Sequence, residues 1–145
     1  MLVRQTMRSF LTGWLLLGTL ALASSASAQS GVVLRFSGTG GSQARSVVVR
    51  EAQQTYELVD RRSVESTADR LGADLNTVVG RALVAEDMCL SIIIHGGVRG
   101  RGRRGRTTIQ AFASNGEEVG IARTGAPVGS RGRSQVTRAT RSLLR

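Results

Sequence analysis

Residues 90–98 read LSIIIHGGV and residues 107–114 read TTIQAFAS, with five arginines spaced by glycines between Arg99 and Arg106. The apolar residues of the first stretch stand at consecutive positions, which suits a central strand covered on both faces. In the second, Ile109, Ala111 and Ala113 alternate with Gln110 and Phe112, the period of a strand. Two strands so close in sequence pair as a hairpin. Gly100, Gly102 and Gly105 then bend the chain while Arg101, Arg103 and Arg104 point to water. An arginine-glycine box that grips RNA is the rival reading, but such boxes carry aromatics nearby, and none lies inside this stretch.

Working outward, SNGE (114–117) carries Asn-Gly, the strongest hairpin dipeptide, so EVGIART (118–124) pairs back as a further strand. GAPVGS, with the single proline, ends the sheet. The tail closes as a helix with Val136, Ala139, Leu143 and Leu144 inward and Arg138, Arg141 and Arg145 on the opposite face.

Upstream, GVVLRF (31–36) places Val32, Leu34 and Phe36 on one face of a strand. A glycine turn leads into a helix over 44–55, with Ala44, Val47, Val48 and Ala52 on its packed stripe. YELV (56–59) is a short strand, and the helix between favours parallel pairing. Ser63 is expected to cap a second helix with Val64, Ala68 and Leu71 inward and Gly72 as its stop. Asp74 or Asn76 is expected to cap a third, running to about Asp87, with Leu75, Val78, Val79, Ala82 and Leu83 inward. The order β-α-β-α-α-β-β-β-α predicts one α/β domain: a mixed sheet with a parallel start and an antiparallel meander, helices packed on the sheet.

The amino terminus reads differently. MLVRQTMRSF carries Arg4 and Arg8 without an acid, a short apolar run follows (11–23), and Ala26-Ser27-Ala28 has the small-residue spacing of a cleavage site. Residues 1–28 are therefore expected to be a secretory signal peptide, leaving a single domain over 29–145, exported to the periplasm or secreted from a Gram-negative cell. No second apolar segment reaches the roughly 20 residues of a membrane span.

The functional inventory is sparse. His95 and Cys89 are the only histidine and cysteine, and neither stands in a nucleophile or metal spacing. Cys89 is expected to be a small buried hydrophobe. Gly38-Thr39-Gly40 at a strand-to-helix turn, with Asp60 after the next strand, mimics a dinucleotide fingerprint, but Gln43 occupies the third glycine position. No catalytic residue, cofactor or metal is expected.

Charge is the one strong signal. All 20 basic residues are arginine. Residues 29–90 sum to −1 and residues 91–145 to +9, so the excess lies wholly in the second half. Arg99, Arg101, Arg103, Arg104, Arg106, Arg138, Arg141 and Arg145 are the candidate polyanion contacts, for lipopolysaccharide, anionic lipid or another phosphate-rich surface. Export removes nucleic acid as an ordinary partner.

With these elements laid out, the chain resembles the small α/β domain at the amino terminus of TolB, which recurs in related envelope proteins including the curli-secretion pore family. The resemblance rests on VVLRFSGTGG, VVVREAQQTYELVDRRSV, SIIIHGGVRGRGRRGRTTIQAF and RATRSLLR, and spans nearly all of residues 31–145. It implies a fold, a periplasmic setting and contact with other envelope proteins or with copies of itself. It carries over no catalytic residue.

Overall fold

The computed structural model describes residues 28–145; the signal peptide expected over 1–28 lies outside them, save for Ala28. A five-stranded sheet runs in the order β2-β1-β3-β4-β5. Its strands are β1 (Gln29–Ser37), β2 (Tyr56–Leu58), β3 (Ile92–Arg99), β4 (Arg106–Ala113) and β5 (Glu118–Gly125). Four α-helices pack on it: α1 (Gly41–Ala52), α2 (Arg61–Leu71), α3 (Val78–Asp87) and α4 (Gly129–Leu143). β1 pairs with β2 and β3 in parallel, whereas β3-β4 and β4-β5 are antiparallel. The mixed sheet with its parallel start is the architecture the sequence predicts.

Two apolar layers sandwich the sheet. On one side α1 and α4 bury Val47, Val48 and Val136 against Val33, Phe36, Ile94, Val98 and Ile109. On the other, α2 and α3 bury Val64, Ala68, Val84 and Ala85 against Val32, Leu34, Ile93 and Phe112. β3 contributes to both layers, which is why SIII is apolar without alternation.

β1 departs from the expected pattern. Val32 and Leu34 share one layer, but Phe36 joins the other, because the β1-β3 register shifts between Val33 and Phe36. β2 is only three residues long and its pairing with β1 ends at Gly31–Leu58, so among the described residues the β1 edge beyond it has no strand partner. Arg45 of α1 fills that place: its Nη2 donates to the Val33 carbonyl at 2.8 Å and its Nε to the Leu34 carbonyl at 3.1 Å. Burial, more than the nearby Arg61, lowers the Arg45 pKa.

The caps also differ from expectation. Asp60, not Ser63, caps α2, its carboxylate accepting from the Arg62 and Ser63 amides, and Gly72 ends the helix as predicted. Leu71 stays exposed. Thr77, not Asp74 or Asn76, caps α3 by accepting from the Gly80 amide at 3.0 Å. α3 is rotated from its expected face: Val78, Val79 and Leu83 lie on the surface, and Gly80, Arg81, Val84 and Ala85 are buried. Gly80 permits this because a Cβ there would stand 2.0 Å from the Asp74 carbonyl oxygen. Cys89 is exposed rather than buried, with φ 52°, and follows the last turn of α3.

Candidate interaction surfaces

α2 and α3 cover only part of their side of the sheet. The cross-strand register places His95 opposite Gln110, Gly97 opposite Thr108, Arg99 opposite Arg106 and Arg123 opposite Thr108. These residues share the face of Ile93 and Phe112, but none of them joins the apolar layer that α2 and α3 cover. The result is an open shelf floored by His95, Thr108, Gln110, Ile121 and Arg123, a hollow of about 360 Å³. His95 is half-buried there, and burial first, then the field of Arg81, pushes its imidazole below the ordinary histidine range.

The arginine stretch is a hairpin tip, as its flanks predict. Gly100 turns the chain at φ 87° and Gly102–Arg104 form a single 3-10 turn. Gly105 has an ordinary φ and is instead buried close to Ala126. Arg101, Arg103 and Arg104 are exposed. Together Arg99, Arg103, Arg104, Arg106 and Arg123 line a second hollow of about 880 Å³. Arg123 was not among the predicted residues; only its register opposite Thr108 brings it to the group. Arg101 does not line this hollow.

Arg138, Arg141 and Arg145 sit in or just after α4, whose apolar stripe packs on the opposite face of the sheet. The structure therefore separates them from the hairpin arginines. Arg141 is also engaged: its Nε donates to the buried Glu51 carboxylate of α1 at 2.6 Å.

The far margin of the sheet is bare. β5 is an edge strand of eight residues, and among the described residues no strand pairs with its outer side. Val119, the extra residue where the β4-β5 register shifts, is 63% exposed, and Ile121 is 39% exposed. The β4-β5 turn packs on α3 through Gly116, whose carbonyl accepts from Arg81 Nε at 2.9 Å. Arg81 lies over the Phe112 ring at 3.9 Å and also donates to the Leu75 carbonyl at 3.2 Å. This clamp and the close approach of Gly116 to the Val78 carbonyl hold the start of α3 against the β4-β5 turn, while Val78, Val79 and Leu83 keep their side chains on the surface. The glycines and acid of the dinucleotide-like pattern hold structure: Gly40 precedes α1 in a left-handed conformation and Asp60 caps α2. Among the described residues no group of three His, Cys, Asp or Glu is placed to hold a metal, and no helix is long and apolar enough to cross a membrane.

No family model matches the sequence, and no curated protein is detectably similar to it. Solved structures are similar in fold. The LpoB C-terminal domain from Salmonella enterica superposes with a TM-score of 0.53 at 13% identity, over 71% of this chain and 86% of that one. TolB from Acinetobacter baumannii superposes with 0.55 at 12% identity, over 78% of this chain but only 26% of TolB. This chain has their fold. Lipoprotein GNA1162 from Neisseria meningitidis shares it at 0.50 and 16% identity, over 70% of this chain and 82% of that one. The TolB-like α/β domain expected from the sequence is thus present, with its helices on both faces of the sheet.

Proposed function

We propose that the chain is an exported, non-catalytic module of the cell envelope that binds another protein, or a second copy of itself, by adding a strand to β5. The observation that carries this reading is the β5 edge, unpaired among the described residues and bearing the exposed apolar side chains of Val119 and Ile121. An unpaired edge offers a row of backbone donors and acceptors to an extended segment, and neighbouring apolar side chains supply contact area and register. The charged residues that blunt such an edge are few here: within β5 only Glu118 and Arg123 are charged, and Gln110 already donates to Glu118 at 2.6 Å. Export is supported by the positive start, short apolar run and small-residue spacing of residues 1–28. Its setting in the envelope is supported by the fold it shares with TolB and with a lipoprotein.

A photo-crosslinking residue at Ile121 or Leu83, with one at Arg50 on α1 as control, tests the surface in native envelopes. Adducts are expected at Ile121 and Leu83 but not at Arg50. They should persist at roughly 0.5 M salt, where the Debye length is only about 4 Å. Adducts confined to Arg50, or none at all, reject this surface. Sequencing the mature amino terminus from fractionated cells tests export; an intact Met1 on a cytosolic species rejects it.

A further inference from the structure

The hollow beneath the hairpin has a composition that the strand-addition reading does not use. β3 and β4 place Arg99 directly opposite Arg106, β5 adds Arg123 two pairs along, and the 3-10 turn returns Arg103 and Arg104 over the same opening. No acidic side chain lines it. None of the three ion pairs among the described residues involves any of these arginines. Elsewhere the fold does engage arginines. Arg45 and Arg81 bind backbone carbonyls, and Arg61, Arg70 and Arg141 bind carboxylates. Like charges directly across a ladder oppose the pairing that joins them, so the Arg99–Arg106 pair is a feature the hairpin carries against its own stability.

We propose that this hollow is a binding site for a phosphorylated ligand, one that presents a phosphomonoester or pyrophosphate group. Guanidinium groups pair phosphate oxygens in two-pronged fashion and stay charged at any physiological pH. A carboxylate would bring one negative charge to five arginines, whereas each phosphomonoester carries about −1.5 to −2 at neutral pH. Thr108, on the rim shared with the adjoining shelf, adds a hydroxyl donor. The remainder of the ligand would lie over that shelf, where Gln110 and His95 present neutral polar groups. Both a soluble phosphate ester and a lipid headgroup have this chemistry. The hollow shares Arg123 with β5, but it would bind phosphate through side chains, whereas strand addition uses the backbone edge, so either proposal survives failure of the other.

Titration calorimetry with inorganic pyrophosphate, and flotation with vesicles of phosphatidic acid in phosphatidylcholine, test it. The wild type should bind pyrophosphate. R99Q/R106Q/R123Q should weaken that binding by at least about tenfold, since it removes charge-assisted contacts. R131Q/R133Q/R138Q, which removes the same charge from α4, should change it by less than about twofold, the scale of screened long-range charge. On the wild type alone, amide resonances of residues 97–108 and 123 should shift with pyrophosphate. Vesicle binding that pyrophosphate displaces identifies a headgroup as the source; pyrophosphate binding without vesicle binding identifies a soluble ester. The proposal is overturned by no pyrophosphate binding, by equal losses in the two triple variants, by resonance shifts elsewhere, or by vesicle binding that pyrophosphate does not displace.

Discussion

Cys89 occupies a position that glycine ordinarily takes. Its φ of 52° follows the end of α3, and the Leu90 amide reaches back to the Ala85 carbonyl at 2.8 Å, the longer bond of a Schellman-type ending. A residue with a Cβ in this conformation costs roughly 1 kcal/mol relative to glycine. Cys89→Gly should therefore raise stability by about 0.5–1 kcal/mol, read as a higher melting temperature by circular dichroism. The exposed thiol should also react fully with a thiol reagent in the folded protein; protection until denaturation would contradict the placement. His95 gives the pH response. Its folded pKa lies below the ordinary value of about 6.5, so between the two values the unfolded chain binds a proton that the folded chain does not. Its contribution is present above about pH 6.5 and is lost as pH falls toward the folded value. The chain has one histidine, so His95→Gln should flatten the fall in melting temperature between about pH 7.5 and 5. An identical slope in the variant would contradict this account.

At the scale of elements, α1 and α4 are joined by one polar contact within an apolar seam. Glu51 is 5% exposed, and the only hydrogen bond or ion pair of its carboxylate among the described residues is with Arg141. Arg141→Met should leave that carboxylate unpaired and destabilise the fold by about 2 kcal/mol, less than the larger losses seen when both partners are buried, because the arginine is half exposed. Adding Glu51→Gln should recover more than half of the loss in urea denaturation; additive losses would show that the pair does not couple α1 to α4. The same contact marks the limit of what spacing alone conveys. Helical periodicity identified α4 and its inward Val136 and Ala139, yet it assigned Arg141 to water, because the acid that holds it lies 90 residues away. α3 failed for a related reason. Its apolar residues at Val78, Val79 and Leu83 define a stripe as good as any, but Gly80 and Arg81 have partners at Asp74, Gly116 and Phe112 that rotate the helix. Strand β3, the hairpin tip and the Asn-Gly turn depend on near neighbours and were legible. Arg123 joined the arginine hollow only through register, which no single strand reveals.

For the whole molecule, the order of elements makes the last helix a closing piece. The apolar layer on its side of the sheet is shared between α1, which precedes the parallel strand β3 in the chain, and α4, which follows the entire sheet. α1 covers β1 and β3; β4 and β5 receive their cover on this face from α4, through Val136, Ala139 and Leu143 against Ile109 and Ala122. Gly120 lacks a side chain where Leu143 approaches, since a Cβ there would stand 2.5 Å from Leu143 Cδ1. A chain ending at Pro127 would expose that half of the layer, and a fully buried valine alone contributes about 1.5–3 kcal/mol. The total stability of a domain of this size is only about 5–15 kcal/mol. The truncated chain should therefore keep much of its far-ultraviolet signal, bind a hydrophobic dye and melt without a sharp transition. Supplying residues 128–145 as a separate peptide should restore a cooperative melt, with β4 and β5 gaining hydrogen-exchange protection before β1. A sharp transition without the peptide would mean that α1 and the sheet form a complete core on their own.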